Sequence, residues 1–119
     1  MIEASCHCGA VKILMSDVKP TVTSCNCSIC RRYATLWSYG NDQTVQIVAG
    51  DGDLEEYAWG TKDLAFVRCA TCGCVTHWQS LWNETPRKIA VNMRLAATEV
   101  LSGLTIRHFD GAESWSYLD

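Results

Sequence analysis

The chain has 119 residues, 48% of them hydrophobic and 19% charged, with a net charge of −3; this is the composition of one folded globular unit spanning residues 1–119 and excludes a disordered chain. The acidic balance offers no electrostatic reason to bind nucleic acid, and no apolar run reaches the length of a membrane span. The opening run MIEASCHCGAV lacks the basic region, apolar stretch and cleavage site of a secretory signal, so the expected setting is the cytoplasm, where thiols stay reduced.

In that setting the eight cysteines point to metal rather than to disulfides. The first two stand in Cys6-His7-Cys8-Gly9, a two-ligand loop closed by a glycine. Val11, Ile13 and Met15 then share one face of a strand. Next comes Cys25-Asn26-Cys27-Ser28-Ile29-Cys30, three thiols within six residues, followed at once by Arg31 and Arg32 and carrying a short helical turn over 28–32. Val45 with Ile47, and Leu64 with Phe66, continue the period-two pattern. Cys69-Ala70-Thr71-Cys72-Gly73 reads as a zinc knuckle, with Cys74 directly after it. Ile89, Val91 and Met93 alternate again, a second short helix is expected over 96–101, and Leu104, Ile106 and His108 form the last strand. Turn signals at 40–42, 50–53, Gly60 and 110–111 separate these runs. The pattern predicts an all-β chain of small antiparallel sheets organised around cysteine-ligated zinc, with only short helical turns.

Tetrahedral zinc takes four soft ligands at a structural site and three protein ligands at a reactive one. Cys6, Cys8, Cys69 and Cys72 supply the first set, two loops far apart in sequence that together close about sixty residues. Cys25, Cys27 and Cys30 supply the second set and leave one coordination position for water or an incoming thiol. Two Zn2+ ions are therefore expected, the second held less fully. Cys74 stays open between a fourth ligand of the second zinc and a thiol packed in the core. Arg31 and Arg32 are the candidates to hold a carboxylate of a thiol substrate, against the plainer reading of a solvated basic pair. His7, His77 and His108 are not expected to ligate, though His77 is a candidate pocket residue; Trp37, Trp78 and Trp82 are expected in the core or a pocket wall.

The segments SCHCGAV, CNCSICRR, RCATCGCVTHW, VNMRL and HFDGAESW, in this order, resemble the glutathione-dependent formaldehyde-activating family, also called the centromere protein V type domain. The resemblance implies a zinc-containing arrangement of small antiparallel sheets. It implies that Cys6, Cys8, Cys69 and Cys72 hold a structural zinc and that Cys25, Cys27 and Cys30 hold a reactive one. It also implies a carbon–sulfur lyase activity, the joining of glutathione and formaldehyde as S-hydroxymethylglutathione. The competing reading is non-catalytic: a zinc or thiol carrier, or an interaction module whose metals only hold the fold.

Overall fold

The period-two runs become strands, and tight turns decide which strands pair. The computed structural model describes residues 1–119. β1 (Ile2–Ser5), β2 (Lys12–Met15) and β5 (Val45–Val48) form a three-stranded antiparallel sheet with β2 in the centre. In this register Ile13 stands between Ala4 and Ile47, and Met15 between Ile2 and Val45, so one face of the sheet is continuously apolar.

The second sheet has seven strands, β3 (Thr21–Cys25), β4 (Trp37–Asn41), β6 (Leu54–Tyr57), β7 (Leu64–Cys69), β8 (Val75–Ser80), β9 (Lys88–Asn92) and β10 (Thr105–Phe109), in the order β10-β3-β4-β9-β8-β7-β6. Its pairings are antiparallel except one. β10 runs parallel to β3, the one pairing that departs from the antiparallel sheets expected. The reason lies in the connection: a 3-10 turn (Met93–Leu95) and the short helix α2 (Thr98–Ser102) carry the chain across before β10 begins, and such a crossover is what a parallel pair requires. The other helix, α1 (Cys30–Tyr33), follows β3. Both helices fall within a residue or two of their predicted places.

Four consecutive residues of β9, Ile89 to Asn92, are buried, because this central strand is covered on both faces. Ile89 and Val91 join Ile13, Met15, Val22 and Met93 in the core between the two sheets. Ala90 looks the other way, into a second cluster with Cys30, Trp37 and Phe66. Across that outer face the register aligns Phe66 with Trp78, Trp78 with Ala90, and Ala90 with Tyr39. The row is aromatic on either side of one alanine, and the Trp78 and Tyr39 rings meet at 6.1 Å between centroids. This aromatic face is where the second cysteine cluster sits.

Candidate metal centres and an adjoining cavity

Cys6 and Cys8 come from the turn between β1 and β2; Cys69 ends β7, and Cys72 lies in the turn before β8. Each turn folds back on a glycine in the left-handed region, Gly9 at φ +85° and Gly73 at φ +78°. The Gly9 N–H donates to the Cys6 carbonyl at 3.2 Å and the Gly73 N–H to the Cys69 carbonyl at 3.0 Å. The result is four sulfurs within 4.8 Å of one another. Cys6 and Cys8 sulfurs stand 3.7 Å apart, and those of Cys8 and Cys69 3.6 Å apart. A disulfide needs about 2.05 Å, and none is present. A zinc tetrahedron with bonds of about 2.3 Å has sulfur–sulfur edges of about 3.8 Å. The donor set therefore fits a closed four-thiolate metal site.

Backbone amides support the same charge. Val11 donates its N–H to the Cys6 sulfur at 3.3 Å. The N–H groups of Cys74 and then Cys8 hold the Cys72 thiol down at about 5, so it is a thiolate at neutral pH.

Cys25, Cys27 and Cys30 form the second set, their sulfurs also within 4.8 Å of one another. Cys25 is the last residue of β3 and Cys30 the first of α1. The intervening segment winds directly into the helix, with Arg31 N–H bonded to the Cys27 carbonyl at 3.1 Å. The Cys30 N–H points to the Cys27 sulfur at 3.5 Å. Burial is the largest influence on Cys27 and raises it, but the Cys30 N–H and the neighbouring thiols outweigh it and leave Cys27 below its ordinary value. Burial pushes the Cys30 thiol far up. Against that burial the Trp37 indole Nε1–H donates to the Cys30 sulfur at 3.4 Å. Within the set, then, the Cys27 thiol releases its proton more readily than an ordinary thiol and the Cys30 thiol less readily.

The two sets differ in what surrounds them. All three sulfur-bearing residues of the second set line a cavity of about 930 Å³, whereas none of the four in the first set does. The sheet supplies one wall of this cavity through Trp37, Tyr39, Phe66 and Trp78; Trp59 comes from the connection after β6. The end of β10 and the segment after it add Phe109, Trp115 and Tyr117 to the lining. That segment is stapled to the cysteine loop by Asn26, whose Nδ2–H donates to the Asp110 carboxylate at 3.0 Å and whose Oδ1 accepts the Ala112 N–H at 3.0 Å. Gly111 comes so close that a Cβ there would stand 2.8 Å from the Cys25 sulfur and 3.2 Å from the Cys27 Cβ.

The remaining predicted residues are placed as follows. Cys74, open between a fourth ligand of the second zinc and a packed thiol, is not grouped with Cys25, Cys27 and Cys30. It packs with Cys6, Val11 and Cys69, its carbonyl accepting the Cys69 N–H at 2.9 Å. The knuckle turn folds Cys74 back beside Cys69, and so keeps it at the first corner. Arg31 lines the cavity; Arg32 does not, its guanidinium donating to the Ser28 carbonyl at 2.7 Å. His77 is buried in the sheet against the Thr76 hydroxyl at 2.8 Å and is no part of the cavity wall. His7 is exposed, and His108 pairs with Asp119. Trp37 and Trp78 are wall residues as expected; Trp82 lies outside the wall and donates to Asp63 at 2.9 Å.

Compared with known proteins, residues 1–105 match the family model described as "Glutathione-dependent formaldehyde-activating enzyme". The chain belongs to this family. A crystal structure of a Rhodobacter sphaeroides protein is similar, with a TM-score of 0.71 and 27% identity over 88% of this chain and 99% of the other. No curated protein matches. All eight cysteines fall within the part matched to the glutathione-dependent formaldehyde-activating enzyme family, so the two sulfur sets belong to the family region. Residues 106–119 lie beyond it. Phe109, Gly111, Trp115 and Tyr117, which close the cavity, therefore stand outside the matched region of this family member. In HFDGAESW the signal for this part of the lining is a glycine among closely spaced aromatics.

Proposed function

We propose that this protein is a zinc-dependent carbon–sulfur lyase or synthase, joining a thiol to an aldehyde and reversing that addition. One observation carries the reading: of two sulfur sets, only the three-cysteine set opens onto a cavity. Cys6, Cys8, Cys69 and Cys72 would hold one zinc that braces the fold, and Cys25, Cys27 and Cys30 would hold a second beside the substrate. When bound, zinc supplies the positive charge that lowers the pKa of a thiol and polarises a carbonyl oxygen.

The reaction needs no oxidant. The thiol sulfur bonds to the carbonyl carbon, the carbon–oxygen double bond becomes single, and the thiol proton ends on the oxygen. The chain's residues position and shield these groups. Trp37 fixes Cys30, the aromatic walls exclude water, and Arg31 offers one guanidinium to a carboxylate on the thiol. Burial pushes the Tyr39 phenol up to about 12, so it is a hydrogen-bond donor to oxygen throughout the working range. The family description makes glutathione and formaldehyde the first pair to test, and a reducing cytoplasm is the setting in which such thiols persist.

The test pairs metal analysis with calorimetry. Two zinc ions per chain are expected, with thiol binding that Cys27→Ser abolishes. Two zinc ions with no thiol bound and no acceleration of adduct formation would favour the carrier or interaction-module reading instead.

A further inference from the structure

The cavity beside the three-cysteine set is larger and more apolar than glutathione and formaldehyde alone require. Fourteen of its 21 lining residues are hydrophobic, and Arg31 and Asp63 are its only charged ones. Both Asp63 oxygens are already engaged, one by the Thr61 hydroxyl at 2.6 Å and the other by the Trp82 indole at 2.9 Å. Two further polar lining residues are engaged: Tyr117 with Thr23 at 2.8 Å, and Asn26 with Asp110 and Ala112. Glutathione carries two carboxylates, an ammonium and two amides. In this cavity one carboxylate would meet Arg31 and the ammonium Asp63, and the second carboxylate would find no charged partner. Formaldehyde, at the other extreme, fills almost none of about 930 Å³.

We infer that the cavity takes a substrate whose reacting carbon or sulfur carries a flat aromatic group and at most one negative charge. This rests on the thiol–aldehyde reaction proposed above and names the substrate class for it. The rings are arranged for such a guest. Trp37 meets Phe66 tilted at 6.2 Å and Trp78 edge-on at 6.4 Å, and Phe109 meets Trp115 edge-on at 5.2 Å, all five rings lining the same cavity. An aromatic ring entering the cavity finds both faces and edges to pack on. The cavity is of the size that holds a drug-sized molecule. The chemistry balances as before: the sulfur–carbon bond forms, the carbonyl double bond opens, and the thiol proton passes to oxygen.

The experiment is calorimetry on the full, zinc-loaded chain with three probes: 2-naphthaldehyde, 2-naphthalenethiol and glutathione. At least one naphthyl probe is expected to bind tenfold or more tightly than glutathione. The aldehyde arm prevailing puts the ring on the carbonyl carbon, and the thiol arm prevailing puts it on sulfur. Trp115→Ala, in an exposed side chain, and Trp59→Ala, on another part of the rim, are each expected to weaken naphthyl binding several-fold with zinc content unchanged. Glutathione binding more tightly than both naphthyl probes would overturn the inference, as would unaltered naphthyl affinity in both variants. Tight naphthyl binding without any acceleration of adduct formation would leave the aromatic guest standing and sink the reaction instead.

Discussion

The indole N–H of Trp37 donates to the sulfur of Cys30 at 3.4 Å from a side chain that is only 2% exposed. The ring thus has two jobs: it walls the cavity and steadies one sulfur of the open set. Groups that orient a metal ligand commonly change metal affinity by about 10–100-fold when removed. Trp37→Phe keeps most of the ring and deletes the donor. It is expected to fold, to keep the four-sulfur metal and to bind the second metal about 10–100-fold more weakly in a chelator competition. Unchanged affinity would reduce Trp37 to a wall residue.

The two sulfur sets should also fail differently. Cys69 is 1% exposed and joins a loop at the chain's start to one beyond its middle. A cross-link closing about sixty residues restricts the unfolded chain by about 4 kcal/mol, a large part of a small domain's stability. Cys69→Ser is expected to unfold or aggregate. Cys27→Ser is expected to stay folded with one zinc fewer. Cys74→Ser, although it alters a neighbour of the first set, is expected to retain both metals. Metal content and thermal melting measured on the three variants decide this; equal collapse of Cys69→Ser and Cys27→Ser would end the division between a structural and an open site.

Much of this was legible from spacing. Cys6-x-Cys8-Gly9 and Cys69-x-x-Cys72-Gly73 announce their turns because a chain that points two sulfurs inward and then reverses needs the left-handed conformation that glycine adopts freely. The three-cysteine set is legible because its ligands lie within one turn and a strand end. What could not be read is where the strands meet. Cys74 sits beside Cys69 because of how the knuckle folds, and Arg31 and Arg32, adjacent in sequence, diverge because one bonds back to Ser28. The parallel pairing of β10 with β3 hides in the helical crossover, and without that pairing nothing brings Phe109 beside Cys25 or into the lining that holds Trp37.

Gly111 tests how tightly that C-terminal wall is held to the metal ligands. A methyl group there would stand 2.8 Å from the Cys25 sulfur, closer than contact allows. Sulfurs fixed on a metal have little freedom to yield, and overpacking of this kind costs about 1–3 kcal/mol. Gly111→Ala is expected to lower occupancy of the second zinc. Asn26→Ala removes both staples to the same segment without inserting any atom. It is expected to loosen the segment, seen as altered Trp115 fluorescence, while the zinc stays. If both variants behave alike, the crowding at Cys25 has no consequence of its own.

The last prediction concerns acid. Burial lowers the pKa of His77 from 6.5 to about 4, since the charged ring would have to leave water. The unfolded chain therefore takes up a proton between about pH 6.5 and 4 that the folded chain refuses. Stability is whole above pH 6.5 and declines as pH falls through this window, by on the order of 3 kcal/mol at pH 4. His77→Gln retains a hydrogen-bonding group beside the Thr76 hydroxyl but does not titrate. Both proteins lose metal as their thiolates protonate, so the histidine's share is the difference between their curves. Melting temperatures recorded from pH 7.5 to 4.5 should fall more steeply for the parent than for His77→Gln, starting near pH 6.5. Parallel curves would mean that the ring is charged, or reaches water, in the folded protein.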